Sequence, residues 1–298
     1  MKHYFKVTNL PEENYSRKRK SFFGSWFSNL GVTGWLIIFN VAFFVLANIA
    51  ILVFGDPEGF FDLTAVSAEN LFSNGYWWTP LTSMFMHAGM FHLFVNMLSL
   101  FFIGKFLETL IGKRRFFWLY IISGIFAGLF FAVFSYMLGS SVLGAKIFGS
   151  PETLAVGASG AIFAIAGVLA LLTPKNRVYL IAGPLIAIII QAVIEAMIAP
   201  SAIVNALSIV ITAYIFLALF AMFSFNSGLR KLALPIEMPF WMLPLAAIIP
   251  LVIIGLFIAL PIGNMAHLGG FIAGAVYGIY LRVKYKRKTR IISEYFSK

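Results

Sequence analysis

A serine and three histidines are the residues of this chain best suited to nucleophilic chemistry. Ser159 lies in Gly157-Ala158-Ser159-Gly160, where small neighbours would let another helix come close to its hydroxyl. A serine is a weak nucleophile unless a base lies within hydrogen-bond reach and donors stabilise the oxyanion that develops. The chain has 4 histidines, and three of them, His87, His92 and His267, lie far from the N-terminus. One of these three would have to activate Ser159.

Two of the histidines have small or polar neighbours at helical spacing. His92 and Asn96 are four residues apart, so a helix would place both side chains on one face and aim their donors at a common point. His267 is followed by Gly270 and Gly274, and small residues four apart permit close helix packing in membranes. Each pattern alone is more typical of helix packing, because single intramembrane polar residues often only bridge helices. Their joint occurrence favours catalysis.

The composition indicates an integral membrane protein. Of the 298 residues, 61% are hydrophobic and 11% are charged, whereas soluble domains have roughly 45–50% apolar and about 25% charged residues. Long apolar runs recur through most of the chain, each long enough to cross a bilayer as a helix. The absence of cysteine excludes disulfides and cysteine nucleophiles. We therefore expect an all-α, polytopic membrane helix bundle with about eight spans.

The basic residues predict how these spans are oriented. The net charge of +11 falls mainly in the tails and in short loops, and retention of Lys and Arg in the cytoplasm explains this better than nucleic acid binding does. Eight spans with both termini cytoplasmic place every basic cluster on one side. The stretch 55–86 contains acidic but no basic residues and should lie outside. We expect a multi-pass protein of a prokaryotic cell membrane whose site opens to the outside.

The spans also predict that the candidate residues share one depth. Only about 16 residues separate Gly157 from the basic turn after Thr173, fewer than the roughly 20 that a full crossing needs. Ser159 and His267 would each begin a span that descends from the outside, and His92 lies early in another. We therefore expect Ser159 Oγ close to an imidazole nitrogen of His267, with His92 and Asn96 beside them.

These motifs resemble those of the rhomboid intramembrane serine proteases, over about residues 77–278. The resemblance implies a Ser–His dyad in which Ser159 is the nucleophile and His267 is the general base. It implies that His92, Asn96 and the Ser159 backbone N–H hold the oxyanion, and Glu108 also matches a family position. The supporting residues it implies are His87, Gly157, Gly160, Phe163, Gly270 and Gly274. Expected partners are transmembrane protein substrates and the lipid bilayer, with no nucleic acid, no metal and no organic cofactor.

The chain departs from the family pattern at two single positions. Thr79 follows Trp78 where the family often has an arginine, which puts the anchoring of the first outer loop in doubt. Phe163 replaces a tyrosine that often faces the base histidine, and a phenylalanine can pack on the imidazole but donates nothing.

The third departure is the interval between the serine and the histidine. It holds three predicted spans where the usual bacterial and archaeal core has one, so we expect a rhomboid-like six-helix core plus an inserted helical hairpin. Residues 235–241 resemble the start of the fifth core helix, which favours 178–223 as the insertion. Glu195 also lies in a plausible fifth-helix context, so the alternative stays open.

These features predict three segments: a basic cytoplasmic segment (1–30), a transmembrane domain (31–284) and a basic cytoplasmic tail (285–298). Two other functions compete with proteolysis. A catalytically inactive relative that binds membrane clients should lack the serine or the histidine, and both are present. A transporter should have polar groups spread across the membrane depth and an inverted repeat, whereas the polar groups predicted here cluster at one depth.

Overall fold

The computed structural model describes residues 30–257 and 263–296, and this part of the chain is mostly helical. The predicted segment 1–30 lies outside the described residues except for its last residue. The helices are α1 (Val32–Phe54), α2 (Pro57–Thr64), α3 (Thr79–Thr82), α4 (Met90–Ser99), α5 (Lys105–Ile111), α6 (Lys113–Leu138), α7 (Val142–Phe148), α8 (Ser159–Leu172), α9 (Ala182–Met197), α10 (Ala202–Ala221), α11 (Ser227–Arg230), α12 (Leu243–Phe257), α13 (Asn264–Lys284) and α14 (Lys286–Tyr295). The strands are β1 (Arg177–Ile181) and β2 (Pro235–Pro239), with π-helical turns at Glu69–Ser73 and Leu100–Gly104 and 3-10 turns at Lys231–Ala233 and Phe240–Met242.

Five helical stretches of the described residues are long and apolar enough to cross a membrane. They are Val32–Phe54, Met90–Ile111, Lys113–Leu138, Ala202–Ala221 and Phe240–Phe257. Helices α8 and α9 are apolar but shorter, with 14 and 16 residues. The expected polytopic helical bundle is confirmed at this level, because the protein is a multi-pass membrane protein with five candidate spans and further short apolar helices.

Helix α8 lies at the centre of the bundle. Nearly all of its residues are buried, and its most extensive contacts are with α13 and α6. A helix that is apolar on every face belongs in such a position. Gly270 of α13 lies against the carbonyl oxygen of Gly160, and Gly274 lies against that of Ala164, so that a Cβ at either glycine would overlap the backbone of α8. These glycines set the close approach of the two helices.

The beginning of α1 is held by a carboxylate from α5. Glu108 is only 4% exposed. Its carboxylate accepts hydrogen bonds from the backbone N–H groups of Val32 (2.9 Å) and Thr33 (3.0 Å) and from the Thr33 hydroxyl (2.7 Å). The first N–H groups of a helix have no partner within the helix, and the residue before α1 is a glycine without a capping side chain. Glu108 therefore supplies the cap that α1 lacks.

The loop between α1 and α4 is anchored by hydrogen bonds, without an arginine after Trp78. The indole Nε1–H of Trp78 donates to the carbonyl oxygen of Leu63 (2.9 Å), and the Thr82 hydroxyl donates to that of Thr64 (2.8 Å). An isolated β-bridge joins Val66 to Ala155, just before α8. These bonds tie the loop both to itself and to the segment that leads into α8.

Helices α9 and α10 form a hairpin that packs on α4. Phe216 of α10 lies 5.3 Å from Phe91 and 5.5 Å from Phe94, measured between ring centroids. Glu195 of α9 accepts hydrogen bonds through Oε1 from Gln191 Nε2 and from the Ser208 hydroxyl of α10, both at 3.0 Å. The bond from Ser208 thus joins the two helices of the hairpin.

A two-stranded sheet joins the two ends of this hairpin, since one strand precedes α9 and the other follows α10. Strands β1 and β2 pair antiparallel, from Arg177 opposite Pro239 to Ile181 opposite Pro235. The helical hairpin expected over 178–223 is not helical over 178–181, because this stretch pairs with β2 instead. The sheet makes the fold mostly helical rather than all-α. It also brings the chain back to the end of α8, where Phe240 N–H donates to the carbonyl oxygen of Asn176 (2.8 Å).

The C-terminal segment predicted as a tail contains a helix, α14. Thr289 is buried, and Phe296 packs edge-on against Phe106 with ring centroids 5.2 Å apart. The basic side chains of α14 are exposed.

Candidate active site

Ser159 and His267 meet where two central helices begin. Ser159 is the first residue of α8, and His267 lies in the first turn of α13. The imidazole Nε2 of His267 is 2.8 Å from Ser159 Oγ, a hydrogen-bond distance. The expectation that these two side chains meet is therefore confirmed. The glycines of α13 explain the contact, since a longer helix separation would move the imidazole out of reach.

The His267 ring is fixed by packing on its face. Phe163, one turn along α8 from Ser159, is stacked on the imidazole with ring centroids 4.5 Å apart and an interplanar angle of 26°. Among the described residues, His267 Nδ1 is buried and has no hydrogen-bond partner. A carboxylate like the third member of a Ser–His–Asp triad is therefore not bonded to this nitrogen in the described part of the chain.

His92 and Asn96 lie beside Gly157, two residues before Ser159. Gly157 has φ +121°, a conformation that L side chains rarely adopt. A Cβ at Gly157 would lie 2.8 Å from His92 Nε2 and 3.4 Å from Asn96 Nδ2. The missing side chain thus leaves room for both polar groups next to the start of α8. A backbone hydrogen bond stabilises this conformation of Gly157, because its N–H donates to the carbonyl oxygen of Ser83 (2.8 Å).

This arrangement collects hydrogen-bond donors beside Gly157, at the start of the helix that Ser159 begins. Asn96 is 6% exposed, and its Nδ2 is buried without an acceptor among the described residues. The first turn of α8 adds backbone N–H groups that its own helix leaves free, together with the positive end of the helix dipole. Such a set of donors suits a negatively charged oxygen that forms close to Ser159.

His87 lies behind His92 rather than at the serine. It is 1% exposed, its Nδ1 is 3.2 Å from the carbonyl oxygen of Phe85, and its ring is edge-on to His92 with centroids 5.1 Å apart. His87 is thus placed to orient the His92 ring. Within the described residues, no group of three His, Cys, Asp or Glu side chains could hold a metal ion.

Two neighbours of the site were not predicted as site residues. Asn264 is the first residue of α13 and lies one helical turn before His267. Ser83 contributes only a backbone carbonyl, and no sequence signal marks that role.

Comparison with known proteins decides the family of this chain. The family model described as the Rhomboid domain matches residues 74–216 and 182–284, which together cover well over half of the sequence. The chain belongs to the rhomboid family. The two matches share residues 182–216, so the rhomboid pattern does not run through α9 and α10 as one continuous alignment.

Curated rhomboid relatives include both proteases and an inactive protein. The chain is 37% identical over 133 residues to Rhomboid protease AarA of Providencia stuartii, covering 41% of this chain and 46% of that protein. It is 34% identical over 109 residues to Rhomboid protease GluP of Bacillus subtilis (37% and 18% covered). It is 39% identical over 84 residues to Inactive RHOMBOID-like protein 8 of Arabidopsis thaliana (28% and 24% covered). The chain spans less than half the length of each of these three relatives.

Proposed function

We propose that this rhomboid protein is an intramembrane serine endopeptidase that hydrolyses peptide bonds of transmembrane substrates near the outer membrane boundary. The observation that carries the proposal is the 2.8 Å contact between Ser159 Oγ and His267 Nε2 at the start of two buried helices. A serine activated by a base in this way is a nucleophile for acyl transfer. The similarity to two rhomboid proteases supports the same function.

In the proposed reaction, Ser159 Oγ attacks the scissile carbonyl carbon while His267 Nε2 takes the hydroxyl proton. The tetrahedral oxyanion accepts hydrogen bonds from Asn96 Nδ2, from His92 and from the Ser159 backbone N–H. His267 then gives its proton to the leaving amine, and the peptide bond breaks. A water molecule, deprotonated by His267, attacks the acyl-enzyme, releases the carboxylate product and restores Ser159.

The membrane arrangement that accompanies this function has eight spans. They are α1, α4 with α5, α6, α8, α9, α10, Phe240–Phe257 and α13. With both termini cytoplasmic, Ser159 and His267 both lie near the outer side of a prokaryotic cell membrane. A substrate helix must unwind locally there, because its carbonyl groups are engaged in its own hydrogen bonds. Small residues near the cut and helix-breaking residues below it are the expected preference.

We also propose that residues 31–284 form the transmembrane domain, with 285–298 as a basic cytoplasmic tail, and that 178–223 contains an inserted hairpin. Strands β1 and β2 support the insertion, since their pairing returns the chain to the point where it left the central helix. The interrupted family match over α9 and α10 supports it as well. The core then consists of six spans.

One observation favours a second function. The similarity to Inactive RHOMBOID-like protein 8 allows a protein that binds membrane clients without cutting them. Ser159 and His267 at hydrogen-bond distance argue for cleavage instead, since a binding protein has no need of that contact.

A serine-directed probe separates the two functions. We expect a fluorophosphonate to label the detergent-solubilised protein covalently, and we expect labelling and cleavage of a model transmembrane substrate to be lost together in Ser159→Ala. Ser123→Ala is the matched control, because Ser123 is also a buried helical serine, and among the described residues its hydroxyl bonds only to backbone carbonyls. Labelling that survives in Ser159→Ala would exclude the proposed nucleophile.

A further inference from the structure

Asn264 is a buried amide that the proposed mechanism does not use. It is 5% exposed, and its Oδ1 is buried without a donor among the described residues. Its Nδ2 faces the carbonyl oxygen of Leu251 on α12 at 3.5 Å. Because that neighbour is an acceptor, the amide must present its nitrogen to α12, which turns Oδ1 away from α12.

His267 carries the complementary unused group. A Ser159 hydroxyl that donates to Nε2 requires a lone pair on this nitrogen, so the neutral imidazole carries its hydrogen on Nδ1. Within the described chain this Nδ1–H is buried and has no acceptor. A buried donor left without an acceptor destabilises the folded state. The tautomer needed for catalysis is thus the one that needs an acceptor at Nδ1.

The helix places the acceptor and the donor on one face. Asn264 and His267 are three residues apart on α13, and residues at this spacing are neighbours on a helix surface. Side chains on a helix lean towards its N-terminus, so the imidazole lies over the turn that contains Asn264. The two atoms do not bond directly within the described chain, and one water molecule can join an N–H donor to a carbonyl acceptor that lie too far apart for a direct bond.

We propose that Asn264 is a positioning residue that holds His267, through a bridging water, in the tautomer that accepts the Ser159 proton. This inference rests on the proposed function. The amide takes the role that a carboxylate has in a Ser–His–Asp triad, with no buried charge, which would be costly at membrane depth. Phe163 restrains the ring plane, and Asn264 selects which nitrogen carries the hydrogen.

Replacing the amide by groups with and without an acceptor tests this role. Asn264→Leu removes the acceptor at similar volume, and we expect fluorophosphonate labelling of Ser159 and kcat for a transmembrane substrate to fall about tenfold to a hundredfold with little change in KM. Asn264→Gln keeps both the acceptor oxygen and the amide donor and should retain most of the labelling rate. Asn40→Leu is the matched control, because Asn40 of α1 is also fully buried with an unpartnered Oδ1. It should alter thermal stability alone.

The tautomer itself is read from nitrogen chemical shifts of the full-length protein labelled with ¹⁵N-histidine. Only 4 histidines contribute, and the His267 signals are those lost in His267→Ala. We expect a single Nδ1–H tautomer in the wild type and a mixture of tautomers in Asn264→Leu. Unchanged His267 signals in Asn264→Leu would overturn the proposal even if activity fell, since the role would then be structural. Wild-type protein that does not react with the probe would refute the proposed protease, while the nitrogen shifts would still decide the role of Asn264.

Discussion

Small and apolar neighbours fix the position of the serine–histidine pair. Gly270 lets α13 approach α8, Gly160 lies against Ala127 of α6, and Phe163 covers the face of the imidazole. The ring can therefore turn little about its side-chain bonds, although no carboxylate of the described chain holds it. Orientation by packing replaces orientation by charge at this site.

Replacing Phe163 should show how much of that orientation comes from the stacked ring. Aromatic contacts of this kind contribute about 0.5–1.5 kcal/mol, so we expect Phe163→Leu to lower kcat about two- to tenfold while the Ser159–His267 pair stays intact. Phe163→Tyr keeps the ring and should remain close to the wild type. Steady-state cleavage of a transmembrane substrate measures both variants. Equal loss of activity in the leucine and tyrosine variants would show that the ring does not act through stacking.

The single residues of the site differ in how far the sequence predicts them. The contact of Ser159 with His267 follows from residue type and from the depth at which each predicted span begins. The partner of Gly157 is the backbone carbonyl of Ser83, which any residue could provide. The burial of Asn264 depends on α12, a neighbour that spacing along the chain does not reveal.

At the scale of secondary-structure elements, the membrane helices were predictable and the sheet was not. Apolar runs and basic turns fix where α1, α6 and α8 lie, since lipid requires helices whose backbone groups are bonded internally. After Arg177, strand β1 is apolar and continues directly into α9. Its composition therefore predicts the start of that helix. Its strand conformation depends on pairing with β2, more than fifty residues later in the chain.

The hydrogen bonds from the start of α1 to Glu108 of α5 should be a main determinant of stability. Glu108 accepts three hydrogen bonds at the start of α1, and Glu108→Leu leaves two backbone N–H groups and a hydroxyl without their acceptor. We expect the free energy of unfolding to fall by about 2–4 kcal/mol, since each buried unsatisfied group costs about 1–3 kcal/mol and part of that is recovered by relaxation. Denaturation of the detergent-solubilised protein measures the loss.

The neighbouring Thr109 provides the control for the Glu108 substitution. Its hydroxyl donates only to the Lys105 carbonyl oxygen within α5 and is exposed, so Thr109→Ala should change stability by no more than about 0.5 kcal/mol. Thr33→Val removes one of the three donors and should cost less than Glu108→Leu. A Glu108→Leu protein as stable as the wild type would mean that the start of α1 is held by other contacts.

At the scale of the whole molecule, the hairpin α9–α10 stands beside the bundle rather than within it. Helix α8 packs on α6, α12 and α13. Helices α9 and α10 instead contact each other, the turn Lys231–Ala233 and, through their side chains, the phenylalanine-rich face of α4. That face of α4 is apolar, so lipid tails could cover it equally well. His92 and Asn96 project from the same helix but lie at Gly157, beside the start of α8.

Removing the hairpin should therefore leave the core able to fold and react. Ile181 and Pro235 are the last pair of the sheet, so a two-residue Asn-Gly turn can replace residues 182–234 and close β1 and β2 into a β-hairpin. The deletion removes two proposed spans and so preserves the orientation of α12 and α13. We expect the shortened protein to label with fluorophosphonate at Ser159 within about tenfold of the wild-type rate, at lower thermal stability because the Phe91 and Phe94 contacts are lost. Deleting residues 240–284 instead removes His267 and should abolish labelling. A folded, monodisperse 182–234 deletion that fails to label would show that α9 and α10 belong to the catalytic core, with Glu195 marking its fifth helix.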